Sequence, residues 1–147
     1  MKKIIVLITL VLFTTTPAFA ADDFSLPAVG GYDLVSYFTT NAAVRGSGFH
    51  AAQYEGQSYL FSSKENQEMF EKNPTKYLPQ FGGWCAYGAS VGKKFHVDPT
   101  VFEVVDGKLY LNLNKEIQEK WNSDKANNIK IAHQKWDSIK SLEAGKL

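Results

Sequence analysis

Residues 4–13 form an apolar run, interrupted only by Thr9, behind the basic start Met1-Lys2-Lys3. Thr14 to Pro17 ends the run, and Ala18-Phe19-Ala20 sets small residues at the two positions a signal peptidase reads. This three-part pattern predicts a secretory signal peptide over residues 1–20, cleaved after Ala20. The run is about half the roughly 20 residues needed to cross a bilayer. The expected mature chain, residues 21–147, therefore carries no membrane span and is periplasmic or secreted.

Beyond the signal the pattern shifts to short elements. Asp33, after Gly30-Gly31, reads as the N-cap of one or two helical turns with Leu34, Val35 and Phe38 inward. Phe49, Ala51 and Gln53 alternate with their neighbours, Glu55-Gly56 marks a turn, and residues 57–61 read as a second strand with Tyr59 and Phe61 on one face. Ser62 and Glu65 have the spacing of a capping box at the head of a helix. That helix turns Met69 and Phe70 inward and stops at Asn73-Pro74. Residues 75–78 read as a further turn. Residues 81–88, Phe-Gly-Gly-Trp-Cys-Ala-Tyr-Gly, are too glycine-rich for an ordinary helix, and Val97-Asp98-Pro99 reads as a turn. Asp106-Gly107 between alternating apolar flanks is the clearest hairpin in the chain. Asn114 caps a helix with Ile117 and Trp121 inward. Ser123 or Asp124 caps a last helix, in which Ala126, Ile129, Ala132, Trp136 and Ile139 recur at helical spacing. The expectation is an α+β fold: one small domain of β-hairpins packed on short helices, with an amphipathic C-terminal helix. No internal repeat and no low-complexity tract is read.

Charge and composition narrow the functional classes. The formal net charge is +1, and loss of Lys2 and Lys3 with the signal leaves the mature chain close to neutral. Nothing in that balance favours nucleic acid as a partner. Motifs of common enzymes are missing: there is no Gly-x-Ser-x-Gly, no His-Glu-x-x-His, no dinucleotide fingerprint and no phosphate loop. Whether the chain is an enzyme is left open, with the weight on a non-catalytic role.

One cysteine, Cys85, stands in a chain expected to meet an oxidising compartment. It cannot form an internal disulfide, and without a second cysteine it cannot run thioredoxin-type exchange. Gly82-Gly83 ahead of it lets backbone amides approach closely. Cys85 is thus a candidate redox thiol or metal ligand, against the common fate of a free cysteine as a small buried hydrophobe. His96 and Asp98 follow within reach of a loop, and Cys, His and carboxylate together suit copper or zinc. His50 and His133 read as solvated or core-edge residues. The tyrosines could line a pocket but more simply fill a core.

Tyr54, Gly56, Tyr59 and Phe61, then Phe70, Pro74 and Tyr77, give Y-x-G-x-x-Y-x-F and F-x-x-x-P-x-x-Y on either side of a helix. This ordered set resembles the YHS domain family, and Asp33-Leu34-Val35-Ser36 is similar to that family's opening motif. The segments 81–88, 97–99 and 105–112, with Trp121, resemble an exported bacterial branch of the family, some of whose members are described as selenoproteins. The resemblance implies a reactive chalcogen at the position of Cys85. Metal-handling members of the wider family carry cysteines at positions that fall on Ser36, Ser62 and Asn66 here. All three thiolates are missing, and the oxygens and amide that replace them are poor ligands for Cu(I). Three expectations follow. The first is a periplasmic module binding copper or zinc through Cys85, His96 and Asp98. The others are a redox protein working through the free thiol of Cys85, and a non-catalytic domain binding another exported protein.

Overall fold

The computed structural model describes residues 26–147. The expected signal peptide and its cleavage point after Ala20 lie outside the described residues. In chain order the regular elements are α1 (Ser36–Thr39), β1 (Ser47–Tyr54), β2 (Gln57–Phe61), α2 (Lys64–Lys72) and α3 (Pro74–Tyr77). They continue with α4 (Ala86–Ser90), β3 (Asp98–Val105), β4 (Lys108–Asn112), α5 (Lys115–Ser123) and α6 (Lys125–Ile139). Each strand pair is an antiparallel two-stranded sheet closed by a tight turn. The turns place Glu55 and Asp106 at positive φ with a glycine next, as a two-residue hairpin loop requires. The α+β expectation is correct. No helix among the described residues is long and apolar enough to cross a membrane.

Contrary to the reading of a chain without repeats, the second half of the structure repeats the first. The bulged register Ser47↔Phe61 then Ala51↔Leu60 recurs as Asp98↔Asn112 then Phe102↔Leu111. Ser63 caps α2 by accepting from Asn66 N–H, and Asn114 caps α5 by accepting from Ile117 N–H. Gln67 Nε2 donates to Ala51 O at 2.9 Å, and Gln118 Nε2 donates to Phe102 O at the same 2.9 Å. Every one of these residues is displaced by the same number of positions. Ahead of each α-helix–hairpin unit lies a 3₁₀ turn, Ala28–Gly31 or Gln80–Gly83. In both turns a non-glycine residue, Val29 or Phe81, is held at positive φ before a glycine pair. The sequence echoes are short: Leu26-Pro27 with Gly30-Gly31 against Leu78-Pro79 with Gly82-Gly83, and Lys64-Glu65 with Gln67-Glu68 against Lys115-Glu116 with Gln118-Glu119.

Several local expectations are corrected. Residues 81–88 hold the 3₁₀ turn and the start of α4, because Cys85 supplies a cap and the glycines bend the chain ahead of it. Asp98 and Pro99 begin β3, as the bulge before Phe102 lets a proline sit at the strand start. The cap of α2 is Ser63 and not Ser62, whose side chain is engaged elsewhere.

The two copies share one interior. Leu34, Val35, Tyr37, Phe61, Phe70 and Tyr77 of the first copy pack with Leu109 and Leu111 of β4. Tyr37 also reaches across to donate its hydroxyl proton to Pro99 O at 2.9 Å. A second cluster joins Phe81, Ala86, Ala89, Tyr110 and Trp121 to Ala132 of α6. Tyr59 against Phe70 (centroids 4.9 Å) and Tyr110 against Trp121 (5.4 Å) occupy matching places in the two copies.

Candidate functional site

Cys85 is fully buried and caps α4. Its Sγ accepts from Gly88 N–H at 3.4 Å and donates to Asn112 Oδ1 at 3.6 Å. The same Oδ1 accepts from Tyr87 N–H at 3.2 Å. Asn112 is itself fully buried, and its Nδ2 has no hydrogen-bond partner among the described residues. Cys85 N–H donates to Phe95 O at 3.0 Å, which ties the cap to the loop between α4 and β3. A Cβ on Gly88 would meet the Phe95 ring at 3.0 Å, so that ring lies directly over the glycine.

His96 and Asp98 do not join the sulfur. Among the described residues no three His, Cys, Asp or Glu side chains stand close enough to hold a metal ion. His96 is exposed and stacks on Trp84 with centroids 5.3 Å apart. Asp98 is exposed and accepts from Thr100, from the hydroxyl at 2.7 Å and the backbone N–H at 2.9 Å. The hydroxyl bond, then the backbone bond, holds its carboxyl below the usual range. The reason the expected set does not assemble is directional: the cap turns Cys85 into the core, while His96 and Asp98 face solvent two positions apart on extended chain.

A second polar centre forms where sequence reasoning found only a helix cap. Asp33 is fully buried. Its Oδ1 accepts from Val35 N–H at 2.9 Å and Ser36 N–H at 3.3 Å. Its Oδ2 accepts from Ser62 N–H at 2.9 Å, Ser62 Oγ–H at 2.6 Å and Asn66 Nδ2 at 2.7 Å. The carboxyl group is thus surrounded by donors, and both of its oxygens are satisfied within the fold. The spacing Ser62-x-x-x-Asn66 was the available signal, since it places both side chains on one face at the head of a helix.

Residues 37–81 match the family model of the YHS domain. The match supports membership of the YHS family. No curated protein matches the chain significantly, and no solved structure does so. The matched segment ends where the second copy begins, so the repeat at residues 78–128 lies almost wholly outside it. The YHS resemblance placed metal-binding cysteines at Ser36, Ser62 and Asn66. Ser62 and Asn66 do converge, together with the backbone of Ser36, but on Asp33. Their hydrogen-bonding groups are engaged with one another, and hydroxyl and amide are hard donors. This arrangement does not fit a soft metal ion.

Between the two copies runs an open groove of about 940 Å³. Both opening turns contribute to it, through Pro27 and Val29 from the first copy and Pro79 and Gly83 from the second. Trp84 and His96 form one wall, Tyr59, Val97 and Pro99 add apolar surface, and Glu55 and Gln57 supply polar edge. In the first copy Arg45 lies over Tyr32 at 4.6 Å, in the place His96 takes over Trp84 in the second. Tyr37, Tyr59 and Tyr77 are buried core residues. His133 lies on α6 beside Tyr110, with Nε2 3.4 Å from the hydroxyl.

Proposed function

We propose that this protein is an exported, non-catalytic binding module that holds an apolar segment of another exported protein in the groove between its two structural copies. The groove is the observation that carries the reading. It combines apolar walls with a few polar groups at its edge, the usual make-up of a recognition site. Trp84, half-buried on the groove wall, offers a large amphipathic surface of the kind enriched in binding hot spots. Val29, a β-branched residue on the groove wall, is held at φ 51°. Such strain costs about 1–3 kcal/mol and concentrates at ligand clamps. Export is supported by the basic, apolar and small-residue pattern of residues 1–20.

A photo-crosslinking residue in place of His96 tests the idea in the compartment where the mature protein accumulates. The expected result is a discrete adduct with an exported protein that disappears when Trp84→Ala is added and is not seen from Glu119 on α5. No adduct at His96, or one indifferent to Trp84→Ala, removes the reading. Equilibrium dialysis of the same protein against Cu(I) and Zn²⁺ tests the metal module. One equivalent taken up by the wild type and lost in Cys85→Ala would replace the interaction domain with that module.

A further inference from the structure

The two copies differ at two adjacent buried positions. Asp33 and Cys85 occupy the same place: each donates its backbone N–H to the loop ahead of the hairpin, to Val44 O at 2.8 Å and Phe95 O at 3.0 Å. Each side chain accepts from the N–H three residues on, Ser36 at 3.3 Å and Gly88 at 3.4 Å. The carboxylate of the first copy has become a thiol in the second. A second change lies against it. Phe61, buried on Phe70 with centroids 5.0 Å apart, corresponds in register to Asn112. Where the first copy buries a ring, the second buries a carboxamide, points its oxygen at the sulfur, and leaves its Nδ2 without an acceptor. A buried amide with an unused donor is unfavourable in a site that serves packing alone.

We propose that Cys85 and Asn112 form an oxidation site for a small hydroperoxide, with Asn112 holding the sulfenic acid product. The sulfur attacks one peroxide oxygen, an S–O bond forms and the O–O bond breaks. Sulfur loses two electrons to the peroxide, whose other oxygen leaves as water or an alcohol with the thiol proton. The new oxygen is the acceptor that Asn112 Nδ2 lacks, while Gly88 N–H stays on the sulfur. Cys85 is fully buried, and Phe95, whose ring covers the Gly88 that donates to the sulfur, is itself 45% exposed. With no second cysteine in the chain, the sulfenic acid cannot close an internal disulfide and is returned to thiol only by an external one.

The test uses the full mature chain, hydrogen peroxide and intact-mass measurement. The native protein is expected to stop at one added oxygen, reversed by dithiothreitol and absent from Cys85→Ser, which separates it from sulfoxide at Met69. The chain unfolded in urea is expected to pass on to the two- and three-oxygen acids. Asn112→Asp keeps an oxygen for Tyr87 N–H and removes the donor, and is expected to over-oxidise about tenfold faster than wild type. Should that variant not fold, the native and unfolded wild type decide between themselves. The proposal is overturned if native protein gains no thiol-reversible oxygen under conditions that oxidise the unfolded chain. It is equally overturned if native protein over-oxidises as readily as the unfolded chain, or if folded Asn112→Asp behaves as wild type.

Discussion

Asp33 accepts from two backbone amides of its own turn and from Ser62 and Asn66 across the hairpin junction. One carboxylate thereby locks the start of α1 to the head of α2. Asp33→Ala would leave buried N–H groups without acceptors, each costing about 1–3 kcal/mol. The expected outcome is a loss on the order of 3 kcal/mol or more in urea unfolding, with an unchanged m-value. A loss no larger than that of an ordinary surface substitution would show that water replaces the carboxylate. The bonds from Asp33 to the amides of the next turn were legible in the sequence, because Asp ahead of an apolar helical turn has a local signature, but the cap position of α1 itself falls on Val35. The partners of Asp33 in α2 were not legible, since their approach depends on how the first hairpin folds back.

α6 covers the second copy as α3 cannot cover the first, and its apolar stripe puts Ala132 and Ile139 in the interior. His133 borders that stripe, against Phe81 with centroids 5.0 Å apart. Burial, then the charge of Lys108, lowers its pKa below the usual 6.5, opposed by Asp137. The neutral ring is therefore the form the folded helix favours. Stability linked to His133 is fully present above pH 6.5, the unfolded value, and is lost as pH falls from there through the lower folded value. Melting temperatures measured from pH 7.5 down to about 5 are expected to fall in the wild type more steeply than in His133→Gln. Parallel curves for the two proteins would detach the imidazole from this effect.

At the scale of the whole molecule the two copies are one folding unit. The first copy's core is completed by Leu109 and Leu111, with Phe102 and Val104 packed beside them, all from the second hairpin. A fragment of residues 21–77 would expose that apolar face. It is expected to lack cooperative unfolding by circular dichroism, whereas the intact chain melts in a single calorimetric transition. Two separate transitions in the intact protein would show that each copy is stable alone.

Local chemistry along the chain was enough for the hairpins at Glu55-Gly56 and Asp106-Gly107, for the cap at Asn114, and for the α+β class. Turn residues, caps and alternation act over a few positions, so the sequence carries them directly. The repeat was written there too, in Leu-Pro-x-x-Gly-Gly and Lys-Glu-x-Gln-Glu, but divided among short stretches whose intervening core residues differ. Only the tertiary structure decided which polar groups meet. It buried Cys85 beside Asn112 and away from His96 and Asp98, gathered Ser62 and Asn66 on Asp33, and opened a groove between the copies. Those outcomes depend on the direction each side chain takes once distant segments pack, and spacing along a chain does not fix direction.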